Sequence, residues 1–240
     1  MKIFLRIVKK LYPNLDIKYL SGSPLLFFYS CYLTKKYFNS YIIFPAIKFN
    51  GKVQFRIYKR SGAKICIKGQ LILEKWLNGN DLAVINLSAN AVLEIDNDFV
   101  IGDGVKIHIS ENGVLKLKGK NKESASGITA DSVIMVNKYL EIGEDCLIAW
   151  NTFITDCDWH GIEGKQSTKQ TKIKDHVWIG VGAKVLKGVI IENDCIITSN
   201  TVVTQGIYKQ KSMISGVPGI VVKSNIPTWR REINSYDGTK

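Results

Sequence analysis

From Ile173 to Tyr208 the chain repeats a six-residue unit without a gap: Ile-Lys-Asp-His-Val-Trp, Ile-Gly-Val-Gly-Ala-Lys, Val-Leu-Lys-Gly-Val-Ile, Ile-Glu-Asn-Asp-Cys-Ile, Ile-Thr-Ser-Asn-Thr-Val, Val-Thr-Gln-Gly-Ile-Tyr. Each unit opens on an aliphatic residue (Ile173, Ile179, Val185, Ile191, Ile197, Val203) and carries a small or branched residue four places on. No helix has that period. One inward aliphatic residue per six is the pattern of a parallel β-helix, in which short strands and turns wrap a narrow core and each coil rests on its neighbours.

The phase runs backwards through Ile154, Ile148 and Ile142, then is broken by a polar stretch, His160 to Lys172, and resumes at Ile173. Such an insertion leaves the coil at a turn, and loops carried on a rigid scaffold are where chemistry tends to reside. Further upstream, Ile95, Ile101 and Ile107 keep six-residue spacing, and Gly119 to Gly127 reads as a second excursion.

The length of 240 residues, 45% of them hydrophobic, allows one elongated domain with appendages and excludes wholesale disorder. The spacing divides the chain into an N-terminal arm (1–48), a β-helix (49–223) with the loop 160–172, and a polar C-terminal tail (224–240). Ile3, Ile7, Val8 and Leu11 face Lys2, Arg6, Lys9 and Lys10 at helical spacing, so the arm is expected to open with a short basic amphipathic helix. No signal peptide is recognisable, and the apolar run Tyr19 to Leu33 falls short of the roughly 20 residues a membrane span needs. The expected location is the cytoplasm. Five cysteines without a Cys-x-x-Cys pair read as free thiols, with Cys146 and Cys195 in the inward slot.

A net charge of +12 invites a nucleic-acid reading, but the basic residues are spread along the chain without interleaved stacking aromatics or a recognition module. A solvated coil surface, with attraction to acidic glycan or peripheral contact with an anionic membrane at its inner face, fits better than nucleic acid.

Asp156-Cys157-Asp158-Trp159-His160, Val177-Trp178-Ile179-Gly180, Ser199, Val202-Val203-Thr204 and Gly216-Val217-Pro218-Gly219 together resemble the left-handed β-helix acetyltransferases of the hexapeptide-repeat superfamily. The tail of motifs is similar to the maltose and galactoside acetyltransferases. The run Gly143-x-x-x-x-Ile148-Ala149-Trp150, followed by Asp156-x-Asp158-x-His160, resembles the O-acetyltransferases of bacterial capsule and O-antigen loci. The match covers roughly residues 140–223. It implies an all-β, left-handed parallel β-helix, assembly as a homotrimer with sites between subunits, and transfer of acetyl from acetyl-CoA to a sugar hydroxyl of a surface polysaccharide or its precursor. N-acetylation of an amino sugar and a noncatalytic scaffold are the alternatives. The γ-class carbonic anhydrases share the fold but need three histidine ligands, and His108, His160 and His176 lack the spacing, so no metal is expected.

A protonated hydroxyl attacks a thioester slowly, so acyl transfer needs a base working near neutral pH, and an ordinary imidazole titrates near ~6.5. His160 opens the loop and lies where the resembled family keeps its catalytic histidine. Asp158, two residues away, or Asp156 is expected to orient its ring. The resemblance assigns Trp178, Ser199 and Thr204 to the pantetheine arm and Lys223 to the nucleotide phosphates; Gly180 and Gly182 suit a close backbone approach to that arm and suit a simple turn equally well. Trp150 and Trp159 are expected either to stack on a sugar ring or to cover a coil.

Overall fold

A computed structural model describes residues 24–76, 81–120 and 126–231. The basic helix expected near the start and the centre of the second excursion lie outside them. The strands form three sheets of eight, nine and seven strands, parallel except for the last. A coil takes one strand from each sheet. The fifth, for instance, runs Tyr139–Glu144, Leu147–Ile148, Phe153–Thr155, and the sixth Thr171–Ile173, Trp178–Ile179, Lys184–Val185. This is a left-handed parallel β-helix.

Stacking register explains the repeat. Ile142 pairs with Ile173 and then Ile191, Ile148 with Ile179 and Ile197, and Ile154 with Val185 and Val203. All nine side chains are fully buried. The inward aliphatics thus form columns along the coil axis, each burial contributing about 2 kcal/mol. The slot four places on is equally closed at Val177, Ala183, Val189, Cys195 and Thr201, but Ile207 turns outward and is 58% exposed. The cause is a coil one residue short: Ile191 pairs with Tyr208, where an unbroken repeat would offer Lys209. Early coils are as regular as late ones, and the first already includes Ser40–Tyr41, within the segment read as an arm, and Ile47–Asn50, across its boundary.

Helix α1 (Pro24–Tyr37) closes the N-terminal end. The sequence pattern marked only the run Tyr19 to Leu33, too short for a membrane span and containing Pro24. Pro24 occupies the first helical position, where its missing N–H costs nothing. Phe27, Ser30, Leu33 and Thr34 face inward, and the Thr34 hydroxyl accepts the Ala46 N–H at 3.0 Å. At the other end Ile220–Lys223 pairs antiparallel with Met213–Ser215. Among the described residues no helix is long and apolar enough to cross a membrane. All five cysteines are free.

Candidate active site

The loop leaves the fifth coil after Thr155 and rejoins the sixth at Thr171. Ile154 still points into the core, but Asp158, which the repeat would send inward, is exposed, so the chain has left register by then. Asp156 drives the departure. Its buried carboxylate accepts three backbone N–H groups of the preceding turn, from Asn137 at 2.6 Å and from Lys138 and Tyr139 at 2.7 Å. Thr168, on the returning limb, donates to Asn137 Oδ1 at 3.1 Å, and Cys157 and Thr168 face each other across an isolated antiparallel bridge. Both limbs are therefore tied to one turn.

His160 stands exposed beyond this anchor. Among the described residues it makes no hydrogen bond within its own chain. Neither aspartate is its partner here: Asp156 is occupied by backbone, and Asp158 forms an ion pair with Lys187 of the sixth coil. Lys187 also donates to the Gln166 carbonyl, so it clamps both sides of the loop. Trp159 sits in a left-handed conformation (φ 67°) with its indole N–H donating to the Thr155 hydroxyl at 3.0 Å, which turns the backbone so that His160 projects away from the coil. Its ring approaches that of His108, 6.1 Å between centroids. Burial holds His108 below the ordinary imidazole range, and its Nδ1 is 3.1 Å from the Asn86 amide nitrogen.

Of the residues that the resemblance assigns to the donor, Trp178 and Ser199 lie along the second sheet and its following turn, whereas Thr204 follows Val203 at the same end of the third sheet from which the loop leaves. Trp178 is 39% exposed on the second sheet, and Ser199, Thr204 and Lys223 are also exposed. Gly180 and Gly182 are explained by stacking alone. A Cβ on Gly180 would come within 2.7 Å of the Ser199 nitrogen, and Gly182 has φ 70° with the Asn200 amide oxygen 2.3 Å from where its Cβ would be. Trp150 is half-buried, with an indole N–H that finds no partner among the described residues.

Sequence reasoning missed one cluster. Residues 224–231, read as the start of a polar tail, fold back onto the corner below Trp178. Trp229 is buried and stacks on His176, its N–H donating to the His176 carbonyl at 2.9 Å, and its ring is 6.1 Å from that of Trp178. His176 Nδ1 lies 2.8 Å from Asp194. Arg231 covers Trp229 and binds Asp145 at 2.8 Å, and Lys120 binds the other Asp145 oxygen at 2.7 Å. Burial would raise the Asp145 carboxyl, but these two cations hold it below its ordinary value. A lone tryptophan in an otherwise polar tail was the available signal.

A loop bearing one exposed histidine on a rigid coil with an exposed tryptophan is compatible with acyl transfer. The comparisons agree. Residues 170–205 match the family model "Bacterial transferase hexapeptide (six repeats)". The chain is 30% identical over 138 residues to WbbJ of Escherichia coli (strain K12), a protein named for lipopolysaccharide biosynthesis and O-acetyl transfer; the match spans 44% of this chain and 69% of that one. It is 36% identical over 85 residues to the serine acetyltransferase of Staphylococcus aureus (strain Mu50), across 35% of this chain and 39% of the relative. The solved polySia-specific acetyltransferase NeuO shares the fold, with a TM-score of 0.54 at 20% identity, over 76% of this chain and 92% of that one. The chain belongs to the hexapeptide-repeat acetyltransferases. It is an acyltransferase.

Proposed function

We propose that the protein transfers an acetyl group from acetyl-CoA to a sugar hydroxyl of a cell-surface polysaccharide or its precursor. The observation that carries this reading is the exposed His160 on a loop held at both limbs by Asp156 and Lys187. A base so placed is fixed in position yet open to a large acceptor. It takes the hydroxyl proton as the oxygen attacks the thioester carbonyl, and the tetrahedral intermediate then collapses, breaking the C–S bond and returning the proton to the coenzyme A thiolate. Relatives named for O-acetyl transfer and for acetyl transfer to serine support a hydroxyl as acceptor.

The donor arm lies along Trp178, Ser199 and Thr204, with Lys223 toward the nucleotide phosphates. Trp150 and Trp159 flank the acceptor. The coil face beside Trp178 is smooth, so a thioester arm needs a second surface. A homotrimer provides it, with His160 of one subunit facing Trp178 of the next, and the interface supplies the acceptor that His160 lacks among the described residues of its own chain.

The test is acetyl-CoA consumption in the presence of surface glycans, with the product examined by NMR. An acetyl ester that alkali removes supports the reading. An alkali-stable amide would assign the transfer to an amino sugar, and no thioester consumption with any glycan would overturn it.

A further inference from the structure

A solenoid needs a polar outer surface on its terminal cap to stay in solution. Among the described residues, the helix that closes the N-terminal end presents an apolar stripe to solvent. Leu33 and Phe38 complete the core, but Leu25, Phe28, Tyr29 and Tyr32 line the opposite side of helix α1 at spacings of three and four, and are 77%, 56%, 40% and 53% exposed. Ile42, in the first coil, adds a further side chain at 75%.

Cations are interleaved with this stripe. Lys36 donates to the Tyr32 hydroxyl at 2.8 Å and lies over the rings of Tyr32 and Tyr37, at 5.2 and 5.1 Å. Helix α1 contains no acidic residue. The asymmetry extends far beyond it. The described residues 24–73 contain nine lysines and arginines and no acid, whereas residues 74–240 contain nineteen against twenty. The basic residues are spread along the chain; the acidic ones are not, and most of the protein's excess of positive charge belongs to the described residues at the end closed by the apolar cap.

We infer that this end docks on an anionic phospholipid bilayer, with the α1 stripe entering the interfacial region and the surrounding cations meeting the headgroups. A nucleic acid or soluble acidic glycan would use the charge but leave Leu25 and Phe28 in water. A second copy would bury the apolar stripe but bring two strongly cationic ends together. A bilayer satisfies both features: amphipathic side chains settle at the interface, and basic residues gain from the negative surface potential. This goes beyond acetyl transfer and is independent of it.

The experiment is flotation of the full chain with vesicles of phosphatidylcholine alone and of equal parts phosphatidylcholine and phosphatidylglycerol. The wild type is expected to float with the anionic vesicles, weakly with the neutral ones, and less as salt is raised. Leu25→Ser with Tyr32→Ser should reduce binding to anionic vesicles at least about ten-fold, with melting temperature and activity on a water-soluble acceptor unchanged. Should the pair perturb folding, Leu25→Ser alone serves. A wild type that ignores anionic vesicles, or a correctly folded variant that binds them as well as the wild type, overturns the inference. So does a wild type that ignores lipid but self-associates through the stripe, seen as a smaller species for the variant in sedimentation velocity.

Discussion

The ring of Trp229 lies parallel to that of His176, 4.2 Å between centroids and 6° from coplanar, across more than fifty residues of chain. The contact holds residues 224–231 against the corner that carries Trp178. Trp229→Ala removes both the stack and the indole hydrogen bond, so the segment should open. Limited trypsin digestion after Lys223 is expected to become at least about ten-fold faster, with Trp229→Phe close to wild type. Because Trp178 then loses a neighbour, the KM for acetyl-CoA should rise several-fold with kcat little changed. Unaltered cleavage and KM would show that the segment is held by other contacts.

The same clasp gives a pH dependence. Asp145 has a folded carboxyl below its ordinary value of 3.8, despite burial, because Lys120 and Arg231 bond to its ionised form. A carboxyl depressed by folding stabilises above the unfolded value, and that contribution is lost as pH falls through the folded one. The melting temperature of wild type should therefore exceed that of Asp145→Asn by a constant margin above about pH 5, narrowing below pH 3.8. A margin that grows on acidification would contradict the assigned partners.

Asp156→Asn tests the loop anchor. The amide retains one acceptor oxygen and turns an N–H₂ group toward a backbone donor inside a closed site. A loss of about 2–4 kcal/mol is expected in denaturant unfolding, since charged hydrogen bonds are stronger and their removal leaves buried donors unpaired. Turnover per folded molecule should fall as His160 loses its fixed position. Stability within a few tenths of a kcal/mol of wild type, about the range of a neutral surface change, would show that the cap carries little weight.

The coil was legible because a buried column demands the same residue type at every turn, as Ile142, Ile173 and Ile191 illustrate. The loop was legible as a gap in that demand. Its internal wiring was not. Adjacency made Asp158 the natural partner for His160, yet Lys187, on the next coil, takes it, and Asp156, the other residue expected to orient the ring, has its carboxylate bonded to backbone. Pairing across coils depends on register and loop path, which composition does not encode. Gly180 and Gly182 suited a ligand as well as a turn until the stacked neighbours Ser199 and Asn200 were seen against them.

The shared site makes its own prediction. His160→Ala and Ser199→Trp should each be inactive, the first lacking the base and the second blocked on the donor side. Mixed and allowed to exchange subunits, they should recover part of the wild-type rate. A monomer in sedimentation, or no recovery after proven exchange, would contradict a site built from two subunits.

The most direct measurement is the turnover of His160→Ala with acetyl-CoA and a competent acceptor. His160 is exposed and makes no hydrogen bond among the described residues, so its removal should leave the melting temperature and donor affinity intact. A positioned base acts only as the proton moves, so kcat is expected to fall about 10²- to 10⁴-fold. A folded variant that keeps turnover within a few-fold of wild type would contradict the central claim.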